Sequence, residues 1–251
     1  MRKQSLLTVL VLVVGALLVG CDNDIAYQAS TMQGLAAGVY DGTVSVGELK
    51  QHGTIGYGSF DALAGEMVML DGQVYCVDSN GQVTQVGDNA MSPFACVTKF
   101  EPEAKYPMGT ATTYKELCKK IDYRLTTLNA PHAIRITGTF EVVKTTAVRP
   151  QTKPFVKLDE ALKDQAHFEY KNVKGTMVGF RMPEYFRGVC IPGYQLHFLT
   201  QTKTGGGRVK SFIITDAVVE IDRINVLEIA LPKNKEYDSA ILTSSSGDGT
   251  P

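Results

Sequence analysis

Three side chains draw attention by their type and spacing. Gln195 and His197 are separated by one residue in Tyr194-Gln195-Leu196-His197-Phe198-Leu199-Thr200, and Arg208 follows Thr204-Gly205-Gly206-Gly207. Side chains in a strand alternate between faces, so Gln195 and His197 point one way while Tyr194, Leu196 and Phe198 point the other. A hairpin through the glycines returns Arg208 towards that first face. The layout is that of a metal-binding scaffold, and the chemistry does not match it. A catalytic zinc takes three ligands from His, Cys and carboxylate plus a water. Of these three positions only His197 is a good ligand. A Gln oxygen is poor, and a guanidinium stays protonated and cannot coordinate.

The elements that must carry these residues are short strands with a few helices. Asp71-Gly72 and Asp78-Ser79-Asn80-Gly81 separate the apolar runs from Glu66 to Leu70 and from Gln73 to Val77 and beyond, which are hairpin signals. Ser45 with Glu48, and Thr113 with Glu116, read as capping boxes. The first predicts a helix ending by Gly53; the second predicts one with Tyr114, Leu117, Cys118 and Ile121 on a single face. Ala133 to Val143 and the region from Tyr194 to Ile229 read as strand, and Lys157 to Phe168 as a surface helix. The fold class is α+β, or mixed α/β, with sheet dominating.

The chain has 251 residues, 44% apolar and 20% charged, with a formal net charge of -1. It is long enough for a substantial core, and nothing in its charge points to nucleic acid. Arg2 and Lys3, the apolar run from Leu6 to Leu18, and Leu18-Val19-Gly20-Cys21 form a secretory signal that resembles a bacterial lipobox. The expectation is a signal peptide over residues 1–20, lipid on Cys21, and a polar tether over 21–33. The alternative is an uncleaved transmembrane anchor, although the run falls short of the roughly 20 apolar residues a span requires. Asp22 resembles an inner-membrane retention signal, which would place the protein in the bacterial cell envelope, on the periplasmic face. A folded domain over 34–242 and a disordered tail over 243–251 complete the expected organisation. Cys76, Cys96, Cys118 and Cys190 remain in the mature part, with three pairings open to them, and free thiols stand as an equal alternative.

Several segments occur together in order. They are Gly38-Val39-Tyr40-Asp41-Gly42, Gly47-Glu48-Leu49, His52-Gly53, Gly58-Ser59-Phe60-Asp61-Ala62-Leu63-Ala64-Gly65-Glu66, Met69-Leu70-Asp71-Gly72, Ala133 to Phe140 and Gly193 to Val209. This series resembles the α-acetolactate decarboxylase family over nearly the whole mature chain. The resemblance implies two sheet-rich halves with a few helices, a homodimer, and a zinc held by three histidines that decarboxylates 2-acetolactate to acetoin. Zinc would polarise the ketone and hydroxyl oxygens and receive the electron pair left by departing carbon dioxide.

Carried over position by position, the first zinc histidine falls on Gln195, the second on His197 and the third on Arg208. The pocket glutamate falls on Glu66 and the pocket arginine on Thr146. Arg149 lies three residues beyond Thr146 and faces the other way. A family glutamate near the C-terminus has no counterpart. These departures define the leading reading: a lipid-anchored family member that has lost its zinc centre, holds no zinc, and binds a small carboxylate through Arg208. In that reading Glu66 pairs with Arg208 instead of acting as an acid or base, and His197 is a hydrogen-bonded core histidine. The alternative is an active acetolactate decarboxylase with an atypical metal site. His52, His132 and His167 show no ligand spacing, with His52 expected at a helix end and His167 on a helix.

Overall fold

The computed structural model describes residues 24–109 and 111–242. The N-terminal half contributes β1 (Ile25–Ala29), α1 (Met32–Ala36), β2 (Val44–Ser45), α2 (Val46–His52), β3 (Ile55–Ser59), β4 (Glu66–Leu70), β5 (Gln73–Val77), β6 (Val83–Gln85), β7 (Met91–Ser92) and β8 (Phe94–Thr98). The C-terminal half begins with β9 (Ala104–Met108), β10 (Thr112–Thr113) and α3 (Tyr114–Arg124), followed by β11 (His132–Val148), α4 (Leu158–Ala161) and β12 (Gln165–Met182). It ends with β13 (Gly193–Thr200), β14 (Gly206–Arg223), β15 (Val226–Ala230) and α5 (Lys235–Ser239).

Two sheets result. The first has seven strands in the order β15-β1-β8-β3-β4-β5-β6, so β15 crosses back from the C-terminal half to pair in parallel with β1. The second is built on the long strands β11, β12 and β14. There β11 lies between β12 and β14, while β13 pairs with both β12 and β14, so these four strands close on one another at one end. The fold is α+β and sheet-rich, as the composition and turn signals predict.

Alternating burial divides the core into three parts. Tyr57, Val68, Val77 and Phe94 of the first sheet meet Val178, Phe180 and Leu199 of the second between the two sheets. Leu117 and Ile121 of α3 cover the far face of the second sheet, packing with Phe140, Phe198 and Phe212. Val46 and Leu49 of α2 cover the far face of the first. Both capped helices form as the sequence signals require. The Ser45 hydroxyl accepts from the Glu48 amide at the start of α2, and Thr113 with Glu116 makes a reciprocal capping box at the start of α3.

Three expectations need correction. The supposed tether over 21–33 is part of the fold from residue 25 onward, because β1 is buried between β8 and β15 and α1 follows it directly. Its apolar Ile25, Ala26, Tyr27 and Ala29 find partners some two hundred residues away in sequence, which local polarity does not reveal. The expected helix from Lys157 to Phe168 survives only as the short α4, and Gln165 onward belongs to β12. His167 accordingly lies on a strand, where it pairs with Thr146. The proposed lipidation site Cys21, the signal peptide and the tail from residue 243 fall outside the described residues. No helix among the described residues is long and apolar enough to cross a membrane.

Candidate functional site

The strand β13 delivers its side chains as alternation demands. Tyr194, Leu196 and Phe198 enter the core beneath α3, while Gln195 and His197 face the other way into a cavity between the sheets. His197 pairs with Val178 of β12 on one side and with Arg208 of β14 on the other. The turn between β13 and β14 permits this close pairing because it is built on glycine. A Cβ on Gly206 would lie 2.3 Å from the Phe198 carbonyl oxygen, and Gly207 has φ +117°, a region that L side chains rarely adopt. Arg208 therefore returns to the face of His197, as the spacing predicts.

Glu66 reaches the same point from the other sheet. As the first residue of β4 it follows Gly65 (φ +117°) and pairs with Ser59 of β3. Its Oε2 lies 2.9 Å from His197 Nε2, with Glu66 7% and His197 2% exposed. The Tyr57 ring stacks on the imidazole at 5.0 Å between centroids and 12° between planes. Burial pushes the Tyr57 phenol well above its ordinary range, so it stays protonated. His197 Nδ1 and the Tyr57 hydroxyl have no hydrogen-bond partner among the described residues.

The expected ion pair between Glu66 and Arg208 does not form. The carboxylate spans the gap between the sheets to the imidazole, and Arg208 instead donates from Nη2 to Gln165 Oε1 at 3.2 Å. Among the described residues, Arg208 Nε is buried without a partner and the guanidinium makes no ion pair. Thr146 sits beside Arg208 across the β11–β14 pair, fully buried, with its hydroxyl unpartnered among the described residues. Thr146 is adjacent to the cavity wall without lining it. Arg149 donates to Asp164 at 3.0 Å on the surface.

The cavity itself is small, about 60 Å³. Its polar lining includes Ser59, Glu66, Gln195, His197 and Arg208, and its walls include Leu35, Leu158, Leu162 and Ile191. Tyr57, Ser59 and Gln165 escaped the sequence reading. The run Gly56-Tyr57-Gly58, two glycines bracketing an aromatic in a strand, carried a signal of close backbone approach, whereas Gln165 carried none.

This donor set does not fit a zinc ion. Glu66 and His197 are engaged with each other, Gln195 is a weak donor, and Arg208 puts a fixed positive charge where a cation would sit. Among the described residues no three His, Cys, Asp or Glu side chains are grouped to hold a metal. The other histidines lie elsewhere: His52 ends α2 and stacks on Tyr27, and His132 opens β11. Cys76, Cys96, Cys118 and Cys190 are free thiols. Burial raises all four, Cys76, Cys118 and Cys190 to about 12 and Cys96 well above its usual value, so they are unreactive.

Two sheets joined through a Glu–His contact, with a strand-and-glycine-turn scaffold at the cavity, define a sheet-rich α+β fold built around one small polar cavity. A family model described as alpha-acetolactate decarboxylase matches residues 26–244. The alpha-acetolactate decarboxylase of Methanosarcina mazei is 38% identical over 88% of this chain and 76% of its own length. That of Bacillus subtilis strain 168 is 37% identical over 86% and 85% respectively. The crystal structure of the alpha-acetolactate decarboxylase from Bacillus subtilis strain 168 superposes with a TM-score of 0.86 over 88% of this chain and 94% of that one, at 36% identity. A Staphylococcus aureus protein of unknown function, described as similar to alpha-acetolactate decarboxylase, superposes with a TM-score of 0.84 at 28% identity, over 86% and 94%. The chain belongs to the alpha-acetolactate decarboxylase family.

Proposed function

We propose that this chain is a family member whose zinc centre has been lost and whose inherited cavity binds a small carboxylate. The observation that carries the reading is Arg208. It is a permanent cation on the cavity wall whose one partner among the described residues is a neutral amide, with its Nε unpaired among them. A guanidinium in that position is suited to a carboxylate, which it can hold through two parallel hydrogen bonds. Gln195 supplies a neutral donor and acceptor beside it. The cavity volume of about 60 Å³ favours a ligand of few heavy atoms over a larger one. We further propose that lipid on Cys21 holds the domain at the periplasmic face of the inner membrane, and that it works as a homodimer.

The competing reading is a working acetolactate decarboxylase, favoured by the retention of Glu66 and His197 at the cavity and by the activity named for the relatives. Metal analysis of the purified protein separates the two. Stoichiometric zinc that survives dialysis would sink the first reading. Acetoin formed from 2-acetolactate, and lost in His197→Ala, would establish the second. Calorimetry with pyruvate and acetate as probes tests the carboxylate site directly. Binding that vanishes in Arg208→Gln is the expected result, and undiminished binding in that variant removes Arg208 from the proposal.

A further inference from the structure

One end of the molecule gathers several strand ends around the point where the folded chain begins. His132, the first residue of β11, pairs with Arg181 near the end of β12 and with Arg223 at the end of β14. Asp24, immediately before β1, accepts at its carbonyl from the Asn225 and Val226 amides, and its carboxylate accepts from Asn225 Nδ2 at 2.8 Å. The loops at these ends lie side by side. Asn129, before β11, and Tyr185, after β12, are common to two adjoining concavities. Leu128, Arg181 and Arg187 line one of them, and Arg223, Asn225 and Val226 line the other. The Tyr185 hydroxyl donates to the Asn129 carbonyl at 2.7 Å.

Two large apolar side chains are left open to solvent on these loops. Tyr185 is 67% and Leu128 46% exposed, and both line the same concavity. Val226, beside Asp24, is 51% exposed. Charge around them is close to balanced. Arg187 pairs with Glu184, and Arg181 pairs with Asp122 at 3.2 Å. Arg223 is set against Asp24, Glu101 and Glu103, the three acids that act on the neighbouring Asp222. This end therefore carries no basic excess to draw it to an anionic partner.

The chain's point of entry decides what meets this face. Cys21 precedes Asp24 by three residues, which span at most about 11 Å. Lipid on Cys21, the reading proposed above and the one on which this inference rests, holds this end of the molecule at the bilayer. We propose that Leu128 and Tyr185 enter the interfacial layer of that bilayer and so fix the orientation of the anchored domain. Tyrosine suits that layer, because its ring is apolar while its hydroxyl keeps a hydrogen bond. The acyl chains supply the anchoring, and the face supplies the orientation. With no basic excess, the contact does not require anionic lipid.

The sequence contains no tryptophan, so a single introduced indole reports its own surroundings. The full chain, carrying Tyr185→Trp, is purified from bacterial membranes, its intact mass is measured, and it is reconstituted into phosphatidylcholine vesicles containing a phospholipid brominated high in its acyl chains. The control is Met91→Trp. Met91 is exposed and lies beyond the Phe94 end of β8, whereas the Ala26–Thr98 pair marks the end nearest Asp24. The mass is expected to show lipid on Cys21. Bromine should quench the Tyr185→Trp reporter by roughly half and leave the Met91→Trp reporter almost unchanged, as an interfacial position requires. Adding Leu128→Asp to the Tyr185→Trp chain, folded by circular dichroism and still lipidated, should remove most of the quenching. A mass without lipid would overturn the Cys21 reading and this orientation with it. A lipidated chain with equal quenching of the two reporters, no quenching of either, or quenching untouched by Leu128→Asp would overturn the orientation alone. So would an unquenched Tyr185→Trp reporter whose emission shifts to the blue as protein concentration rises, which would assign the face to a second copy of the chain.

Discussion

Glu66 Oε2 and His197 Nε2 meet at 2.9 Å across the gap between the two sheets, and both side chains are buried. Each comes from a different sheet, so the contact fixes the relative position of β4 and β13 at the cavity. With a neutral imidazole, Nε2–H donates to the carboxylate and Nδ1 is left as an unpartnered acceptor. The contact needs no metal to form, which gives it a structural role of its own.

That role predicts an order of stabilities. His197→Ala removes the carboxylate's partner and leaves Glu66 buried beside an apolar wall, a cost of about 2–3 kcal/mol for a charged hydrogen bond with its desolvation. Glu66→Gln keeps an acceptor for Nε2–H and removes the buried charge, so its cost should be about 1 kcal/mol or less. Urea unfolding followed by circular dichroism measures both. Equal losses, or a larger loss for Glu66→Gln, would mean the pair is a strongly coupled ion pair instead.

Arg208 should dominate affinity for small anions. Replacing it with Gln removes a charge-assisted hydrogen bond, worth about 1.5–3 kcal/mol, or roughly ten- to hundredfold in affinity. Arg208→Lys keeps the charge and loses the planar fork, and should fall between the two. Gln165→Ala frees the only described partner of the guanidinium, leaves the charge, and should alter affinity by no more than a few-fold. Calorimetric titration with pyruvate orders the three variants. A Gln165→Ala effect as large as that of Arg208→Gln would show that orientation, not charge, controls binding.

The site was legible where local rules decide the outcome. Alternation along Tyr194 to Thr200 placed Gln195 and His197 together, and the glycine turn placed Arg208 opposite them, because both facts depend only on strand period and turn chemistry. The partner of Glu66 was not legible. A carboxylate in one sheet could meet either of two basic side chains in the other, and only the packing of the sheets selects His197 over Arg208. The strand β1 was hidden for a related reason. Ile25–Ala29 is short and follows a polar stretch, and it is buried by pairing with distant β8 and β15 and by the cover of α2. Likewise the segment from Gln165 has helix-compatible residues, but pairing with β11 along its length outweighs their local preference.

Two buried titrating groups near the start of β11 predict an unusual pH response. Burial, with Arg181 and then Arg223 opposing the charge, lowers His132 to about 4. Its contribution to stability is complete above its unfolded value near 6.5 and is lost as pH falls through about 4. Asp222, one residue from Arg223, behaves oppositely. Burial pushes it up to about 6, reinforced by Asp24, Glu103 and Glu101 and resisted by the Glu101 amide it accepts from. Its contribution is complete below the unfolded value near 3.8 and is lost as pH rises through about 6. The two therefore offset each other between pH 4 and 6. Asp222→Asn should raise stability by about 1–2 kcal/mol at pH 7.5 and little at pH 4, and should steepen the remaining acid sensitivity. Denaturant titrations at the two pH values check this. An equal gain at both would mean that Asp222 is not held as a buried acid.

The zinc scaffold itself should be recoverable. His197 and residue 208 face each other across the β13–β14 pair, and residue 195 follows on the same face, so the backbone already presents three adjacent positions. Introducing Gln195→His alone restores a second imidazole but leaves the Arg208 cation in place, and should bind zinc no better than the parent. Arg208→His alone removes the repulsion and leaves two imidazoles with a weak amide donor, so any zinc should be lost on dialysis. Both substitutions together complete the three-nitrogen set that a catalytic zinc takes, with Glu66 close enough to His197 to orient its ring. Elemental analysis after dialysis against a weak chelator should then find about one zinc per chain in the double variant and far less in each single one. Zinc binding also adds stability to the folded state, so the double variant should show a metal-dependent rise in melting temperature that the single variants lack. No gain of metal in the folded double variant would show that these three positions do not form a zinc site, and the reading of a lost zinc centre would fall with it.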